Sequence, residues 1–214
     1  TLQEAVDLMQ DAFDIADTYR NPVMVLADGL IGQMMEPIVW QDRPGRSLPP
    51  KTWAAEGRRG RTHNNFVTSL YIGAEECEEH NLELNRKYAA MEANECRWEE
   101  LMTEDAQLIL VAFGTPARVA ETAMRNLRQE GWNVGLLRPI TLWPFPTARI
   151  RELAGKSHVK AFLDVEMNLG QMLDDVNLAV NGQRPVHFYG RCGGAVPHVS
   201  EVEQAAQKVL EEVQ

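Results

Sequence analysis

The densest group of cationic side chains in the sequence is the run Arg58-Arg59-Gly60-Arg61. The planar guanidinium of arginine donates paired hydrogen bonds to a carboxylate or a phosphate, so neighbouring arginines suit an anionic ligand. The run lies within residues 40–68, where prolines and glycines interrupt any regular period and indicate a linker or extended arm. The run therefore predicts an anion site. The alternative is a solvated surface loop, because charge clusters on loops are usually solvated.

A second candidate for anion binding is the pair Gly114-Thr115, which follows the apolar run 108–113. We expect this run to be a strand buried on both faces, followed by a helix that Pro116 opens and Thr115 caps. A helix N-terminus attracts anions, but the pair lacks the G-x-G-x-x-G spacing of a dinucleotide site and is not a Walker loop. The pair therefore predicts a ligand loop or a structural turn.

Glu166 is the carboxylate best placed for acid–base chemistry, because it ends a predicted strand. The same place suits a structural carboxylate that accepts hydrogen bonds from the following loop. Cys192 follows Arg191, whose charge could lower the thiol pKa, yet a lone loop cysteine is more often inert. The five histidines show neither metal-ligand nor triad spacing. We therefore predict no catalytic residue and no metal site within this chain.

These candidate loops need a scaffold, and residues 103–214 predict an α/β domain with a parallel sheet. In such sheets ligands favour the carboxyl ends of the strands. We predict the spatial order 2-1-3-4 for the strands, numbered along the chain, and a last helix over 200–213 with Ser200 as N-cap and Glu203 completing a capping box. The predicted strands are 108–113, 133–138, 159–165 and 186–189.

The first half of the chain predicts a different organisation. Apolar residues at helical spacing indicate a helix over 2–19, and 23–26 reads as a short buried strand. Residues 74–102 contain neither glycine nor proline and predict one long, mostly polar helix. We therefore divide the chain into residues 1–39, the linker and helix over 40–102, and the domain over 103–214.

Composition excludes several classes of protein. A net charge of -10 argues against nucleic acid as a partner, and no apolar run approaches the roughly 20 residues that span a bilayer. The three cysteines Cys77, Cys96 and Cys192 are widely spaced, which suits a reducing cytoplasm. The start carries no basic region typical of a signal peptide, and the missing initiator methionine indicates a piece of a longer chain.

Several blocks resemble the alpha subunit of 2-oxoacid:ferredoxin oxidoreductases, and the likeness is closest to the 2-oxoisovalerate (branched-chain) type. The most specific are GQMMEP at 32–37 and WPFP at 143–146. The other blocks of the resemblance cover 23–38, 68–88, 102–118, 136–146, 165–176 and 188–202.

The resemblance implies a C-terminal part of such a subunit. Residues 103–214 would be a three-layer α/β sandwich like the transketolase C-terminal domain, and 1–39 a remnant of the pyrimidine-type domain of thiamine enzymes. The whole enzyme would oxidatively decarboxylate a 2-oxoacid with coenzyme A and reduce ferredoxin. Thiamine diphosphate, Mg²⁺ and iron–sulfur clusters would belong to the complex, with beta and gamma or delta subunits as partners.

Two functional hypotheses follow. In the first, the chain is mainly a structural and assembly part of an oligomeric oxidoreductase and is inactive alone; 2-oxoglutarate is the rival substrate to a branched-chain 2-oxoacid. In the second, it is an autonomous α/β module that binds an anion such as coenzyme A. That module would use the arginines Arg58, Arg59 and Arg61 together with Gly114 and Thr115.

Overall fold

The computed structural model describes residues 1–41, 45–58 and 60–213, and these form two compact units, Thr1–Met91 and Glu92–Gln214. The first unit contains helix α1 (Leu2–Tyr19), a short 3-10 helix (Ile31–Gln33) and most of helix α2 (Ala74–Glu95). Thr1 caps α1, because its hydroxyl oxygen accepts a hydrogen bond of 3.1 Å from the amide of Glu4. None of the described helices is long and apolar enough to span a membrane.

Two expectations for the first half of the chain are wrong in the structure. Residues 23–26 form no strand, because none of the described segments pairs with their backbone. Met24 and Leu26 are 79% and 66% exposed, so the segment is not buried either. Helix α2 ends at Glu95 instead of continuing to 102. The residues after it form strand β1 (Trp98–Leu101), which belongs to the second unit.

The second unit is built on one five-stranded sheet with the order β1-β3-β2-β4-β5. The predicted order of the four parallel strands is confirmed, and β1 adds an antiparallel edge beside β3. The remaining strands are β2 (Leu108–Val111), β3 (Val134–Pro139), β4 (Ala161–Glu166) and β5 (Val186–Gly190). The helices that follow them are α3 (Gly114–Gln129), α4 (Thr147–Ala154), α5 (Gln171–Val180) and α6 (Val199–Glu212).

The sheet is the middle layer of a three-layer α/β sandwich. Alternate residues of β2 serve opposite cores: Leu108 and Leu110 pack with α3 and α6, whereas Ile109 and Val111 pack with α4 and α5. All four residues of β2 are fully buried, which explains its continuous apolar sequence.

The predicted N-caps of two helices are displaced. Helix α3 begins at Gly114 with Phe113 as its N-cap, so Thr115 lies inside the first turn. Helix α6 begins at Val199 with His198 as its N-cap. Glu203 is used elsewhere, since it accepts a 2.7 Å hydrogen bond from the Asn126 amide of α3 and so joins the two helices.

Candidate functional site

The carboxyl end of β4 is organised by the buried side chain of Glu166, which is 1% exposed. Its oxygens accept hydrogen bonds of 3.0 Å from the backbone amide of Met172 and of 3.1 Å from that of Leu173, in the first turn of α5. The amide group of Asn168 donates a further bond of 2.7 Å. Glu166 therefore places a negative charge at the positive end of α5, where a helix favours an anion.

The loop from Glu166 to Gly170 is held from two sides. The side-chain oxygen of Asn168 accepts hydrogen bonds from the amides of Gly170 (2.7 Å) and Gln171 (3.0 Å). On the other side, a Cβ atom at Gly190 would lie only 2.6 Å from the carbonyl oxygen of Asn168. Glycine at this position therefore lets the loop pack directly against β5.

Asp164 is a second buried carboxyl on β4, and it is fully inaccessible. Neither of its side-chain oxygens has a hydrogen-bond partner among the described residues. Burial raises the pKa of Asp164 to about 9, and the neighbouring Glu166 carboxylate adds to the increase. The sequence analysis overlooked this residue; the signal was an acid between the apolar residues Leu163 and Val165 of a strand.

A polar network connects the end of β5 to the start of α6. The amide of Arg191 donates to the carbonyl of Glu166 at 3.1 Å, and its guanidinium pairs with Glu201 at 2.5 Å. Glu201 also accepts a 2.8 Å bond from the amide of His198. Burial, followed by the hydrogen bond with Glu201, raises the pKa of Tyr189. The N-terminus of α6, like that of α5, is thus neutralised by a carboxylate of the chain itself.

The predicted anion ligands Gly114 and Thr115 lie at the start of α3. Gly114 has a positive φ of 61°, and Thr115 is buried. Unlike α5 and α6, α3 has no acidic residue in its first turn. This is the property that an anion-binding helix N-terminus requires.

Of the predicted arginines, Arg58 and Arg61 lie together in the first unit, and Arg59 lies outside the described residues. The Nε of Arg58 donates to the side chain of Asn64 at 3.0 Å. The Arg61 guanidinium donates to four backbone carbonyls of its own loop, those of Thr52 (3.0 Å), Ala54 (3.4 Å), Gly57 (2.5 Å) and Arg58 (3.3 Å). Arg61 therefore fixes the shape of this loop.

The remaining candidates form no reactive constellation in the described part of the chain. Cys192 is exposed, and His187 lies in β5 with a buried Nε2 atom that has no partner among the described residues. No three His, Cys, Asp or Glu side chains of the described residues converge as metal ligands. The described residues thus offer structural carboxylates and, at the start of α3, a helix N-terminus without an acidic side chain in its first turn.

Comparison with known proteins relates the chain to a group of oxidoreductases. Residues 106–202 match the family described as pyruvate:ferredoxin oxidoreductase core domain II. Over 99% of its length the chain is 45% identical to "Ketoisovalerate oxidoreductase subunit VorB" of Methanothermobacter marburgensis, of which it spans 59%. It is 31% identical over 94% of its length to "2-oxoglutarate synthase subunit KorA" of Methanothermobacter thermautotrophicus, of which it spans 60%.

A solved structure has the same fold. The 2-oxoglutarate:ferredoxin oxidoreductase from Magnetococcus marinus, solved with 2-oxoglutarate, coenzyme A and succinyl-CoA bound, superimposes with a TM-score of 0.65. The match covers 95% of this chain and 39% of that one, at 21% identity, and so concerns the fold alone.

Proposed function

We propose that the chain works as part of the alpha subunit of a 2-oxoacid:ferredoxin oxidoreductase, because it is similar to a ketoisovalerate oxidoreductase subunit and its residues 106–202 match core domain II of pyruvate:ferredoxin oxidoreductase. The observation that carries this proposal is the 45% identity that extends over 99% of the chain. The proposed reaction of the whole enzyme converts a 2-oxoacid and coenzyme A into an acyl-CoA and CO2, with the electrons passed to ferredoxin.

A branched-chain 2-oxoacid is the proposed substrate class. Identity to the ketoisovalerate subunit, at 45%, exceeds the 31% identity to the 2-oxoglutarate synthase subunit over a similar share of the chain. This difference supports 2-oxoisovalerate over 2-oxoglutarate.

The proposed role of the described residues is to build and position, without a chemical step of their own. Glu166 supports this role, since its oxygens are engaged by the amides of Met172 and Leu173 and by the side chain of Asn168. A general base needs a lone pair directed at the substrate, and this carboxylate points into its own helix. We propose that residues 103–214 serve as the transketolase C-terminal-like scaffold and that 1–39 complete a pyrimidine-type domain.

The cofactors of the proposed enzyme belong to other parts of it. The described residues bring no three His, Cys, Asp or Glu side chains together, so they do not by themselves provide a site for Mg²⁺ or an iron–sulfur cluster. We propose beta and gamma or delta subunits as partners and ferredoxin as the electron acceptor. The three cysteines are free thiols, which supports a reducing cytoplasm as the location.

A second candidate function is the binding of an anion such as coenzyme A by this chain alone. The start of α3 favours it, because the first turn has no acidic side chain to compete with a phosphate group. The first-unit loop favours it less, since the donors of Arg61 already serve four carbonyl oxygens. In this alternative Gly114 and Thr115 are one proposed pair of ligands, and the arginines Arg58, Arg59 and Arg61 are a separate proposed group.

The test of the first candidate is an assay of the assembled enzyme that contains this chain. For coenzyme A-dependent reduction of ferredoxin, kcat/KM should be highest with 2-oxoisovalerate and lower with 2-oxoglutarate and pyruvate. A higher kcat/KM with 2-oxoglutarate would overturn the substrate class, and no activity with any 2-oxoacid would overturn the function. Calorimetric titration of the isolated chain with coenzyme A should show no binding; a micromolar Kd would favour the second candidate.

A further inference from the structure

Asp164 and Glu166 lie two residues apart on β4 and therefore face the same side of the sheet. That side is the core shared with α4 and α5, because Phe162, two residues earlier, packs there. In the sheet, Asp164 is in register with Val111 of β2 and Phe188 of β5. Its neighbours across the strands are thus apolar, and Glu166 is the carboxylate next along the same face.

Hydrogen bonding distinguishes the two carboxyls. Glu166 receives two backbone amides and one side-chain amide, the environment that stabilises an ionised carboxylate. Asp164 receives no hydrogen bond from any described residue, although both of its oxygens are buried. An ionised carboxylate is very costly to bury without donors, whereas a protonated one can itself donate to an adjacent carboxylate.

We propose that Asp164 is a neutral acid at physiological pH, that its carboxyl O–H donates a hydrogen bond to the Glu166 carboxylate, and that the pair thereby forms a proton-sensitive latch for the start of α5. With the proton in place, the pair holds one negative charge, and that charge is neutralised by the amides of the α5 N-terminus. Loss of the proton places two negative charges side by side and weakens the attachment of the loop from Glu166 to Gly170.

The surrounding charges favour retention of the proton. Helix α5 carries Asp174 and Asp175 on its outer side, and burial, Asp174 and Glu166 raise the pKa of Asp175. On α4, Arg149 is paired with acidic side chains, and the Nε and Nη2 of Arg151 donate to carbonyls near the end of α5. The positions of β2 and β5 in register with Asp164 hold Val111 and Phe188, which carry no charge.

The raised pKa of Asp164, about 9, agrees with this arrangement. The latch lies at the carboxyl edge of the sheet, the edge at which open α/β sheets receive ligands and partners. A cationic group that approached Glu166 at this edge would favour release of the proton. Binding there would then be linked to proton release.

Infrared spectroscopy of the complete chain tests the proposal directly, because a protonated carboxyl and a carboxylate absorb at different frequencies. At pH 7 we expect the carbonyl band of one buried protonated carboxyl, which is absent in Asp164→Asn and present in the matched control Asp174→Asn. A wild-type spectrum without this band, or a band that Asp164→Asn leaves unchanged, would overturn the proposal.

A titration of the wild type alone keeps the test independent of how well any variant folds. The protonated-carboxyl band should persist at neutral pH and disappear as the pH rises through about 9. Disappearance of the band below pH 7 would show that Asp164 is ionised under physiological conditions and would contradict the latch.

Discussion

The guanidinium of Arg149 on α4 donates two hydrogen bonds to the carboxylate of Glu100 on β1, at 2.6 and 2.8 Å. The pair joins the antiparallel edge strand to a helix that covers the sheet. Hydrogen bonding from Arg149 is the largest cause that lowers the pKa of Glu100 below its ordinary value of 4.5. Both side chains are largely shielded from solvent, with 28% of Arg149 and 16% of Glu100 exposed, so the pair should matter more than a surface ion pair.

Replacing Arg149 with methionine should therefore lower the free energy of unfolding by roughly 1–3 kcal/mol, because the partly buried Glu100 carboxylate loses two charge-assisted hydrogen bonds. The matched control is Arg125→Met, which removes an exposed pair with Glu121 and should cost less than about 0.5 kcal/mol. Urea unfolding at pH 7 measures both. Because the pKa of Glu100 is lowered, the contribution is full above pH 4.5 and disappears as the pH falls below that value. Equal losses in the two variants would contradict the role of the pair.

Substitution of Gly190 by alanine should destabilise the second unit by roughly 1–3 kcal/mol, the range for overpacking. The added Cβ would lie 2.6 Å from the carbonyl oxygen of Asn168 and closer still to the Phe188 ring. The ring can move, whereas the backbone carbonyl belongs to the loop that Glu166 holds. Gly155→Ala is the control, since its nearest contact would be an ordinary 3.4 Å, and it should leave the melting temperature nearly unchanged. If Gly190→Ala were as stable as the control, the loop from Glu166 to Gly170 would be able to move away from the added methyl group at little cost.

The fold of the second unit could be predicted because its buried strands are continuous apolar runs, as in β2, and alternate with helices. Strand β1 escaped prediction because Trp98-Glu99-Glu100-Leu101 carries two adjacent acids and reads as helix. Its place is decided by partners far along the chain: Arg138 binds Glu99 at 2.8 Å, and Arg149 binds Glu100. Such pairings are tertiary and leave no local pattern.

The sequence predicted the chemical kind of the candidate site residues better than the contacts that those residues make. Glu166 was expected as a structural or catalytic carboxylate, and its hydrogen bonds to the first turn of α5 support the structural interpretation. Arg61 has the chemistry of an anion ligand, but the carbonyls of its own loop occupy its donors, and their orientation cannot be read from sequence. Asp164 was overlooked because its burial depends on the strands and helices packed around it.

The pH dependence of stability should change when Asp164 is replaced by asparagine. The pKa of Asp164 is about 9 in the folded chain, against an ordinary value of 3.8, so the folded state holds one more proton between these pH values. The free energy of unfolding contributed by this group is therefore full below pH 3.8 and falls as the pH rises towards 9, by about 1.4 kcal/mol for each pH unit. The Asp164→Asn variant has no carboxyl at this position, so its free energy of unfolding does not include this fall with rising pH.

The measurement is urea unfolding of the wild type and of Asp164→Asn at several pH values between 4 and 9. As the pH rises, the free energy of unfolding of the asparagine variant should increase steadily relative to that of the wild type, because its neutral amide can still donate a hydrogen bond to Glu166. Subtracting one curve from the other removes the effect of the other titrating groups. Parallel curves would mean that Asp164 has the same charge in the folded and unfolded chains.

Replacing Glu166 with glutamine separates a structural role from a catalytic one. The side-chain amide of glutamine brings donors towards the amides of Met172 and Leu173, so at least one of their hydrogen bonds is lost. We expect a loss of roughly 1–3 kcal/mol in the free energy of unfolding. Glu203→Gln is the matched control, because its partner is the side-chain amide of Asn126 and an amide oxygen can still accept from it. In an assembled enzyme that contains the Glu166→Gln chain, the kcat of the fraction that remains folded should match that of the wild type. A folded complex with unchanged stability and a much reduced kcat would instead make Glu166 a participant in the reaction.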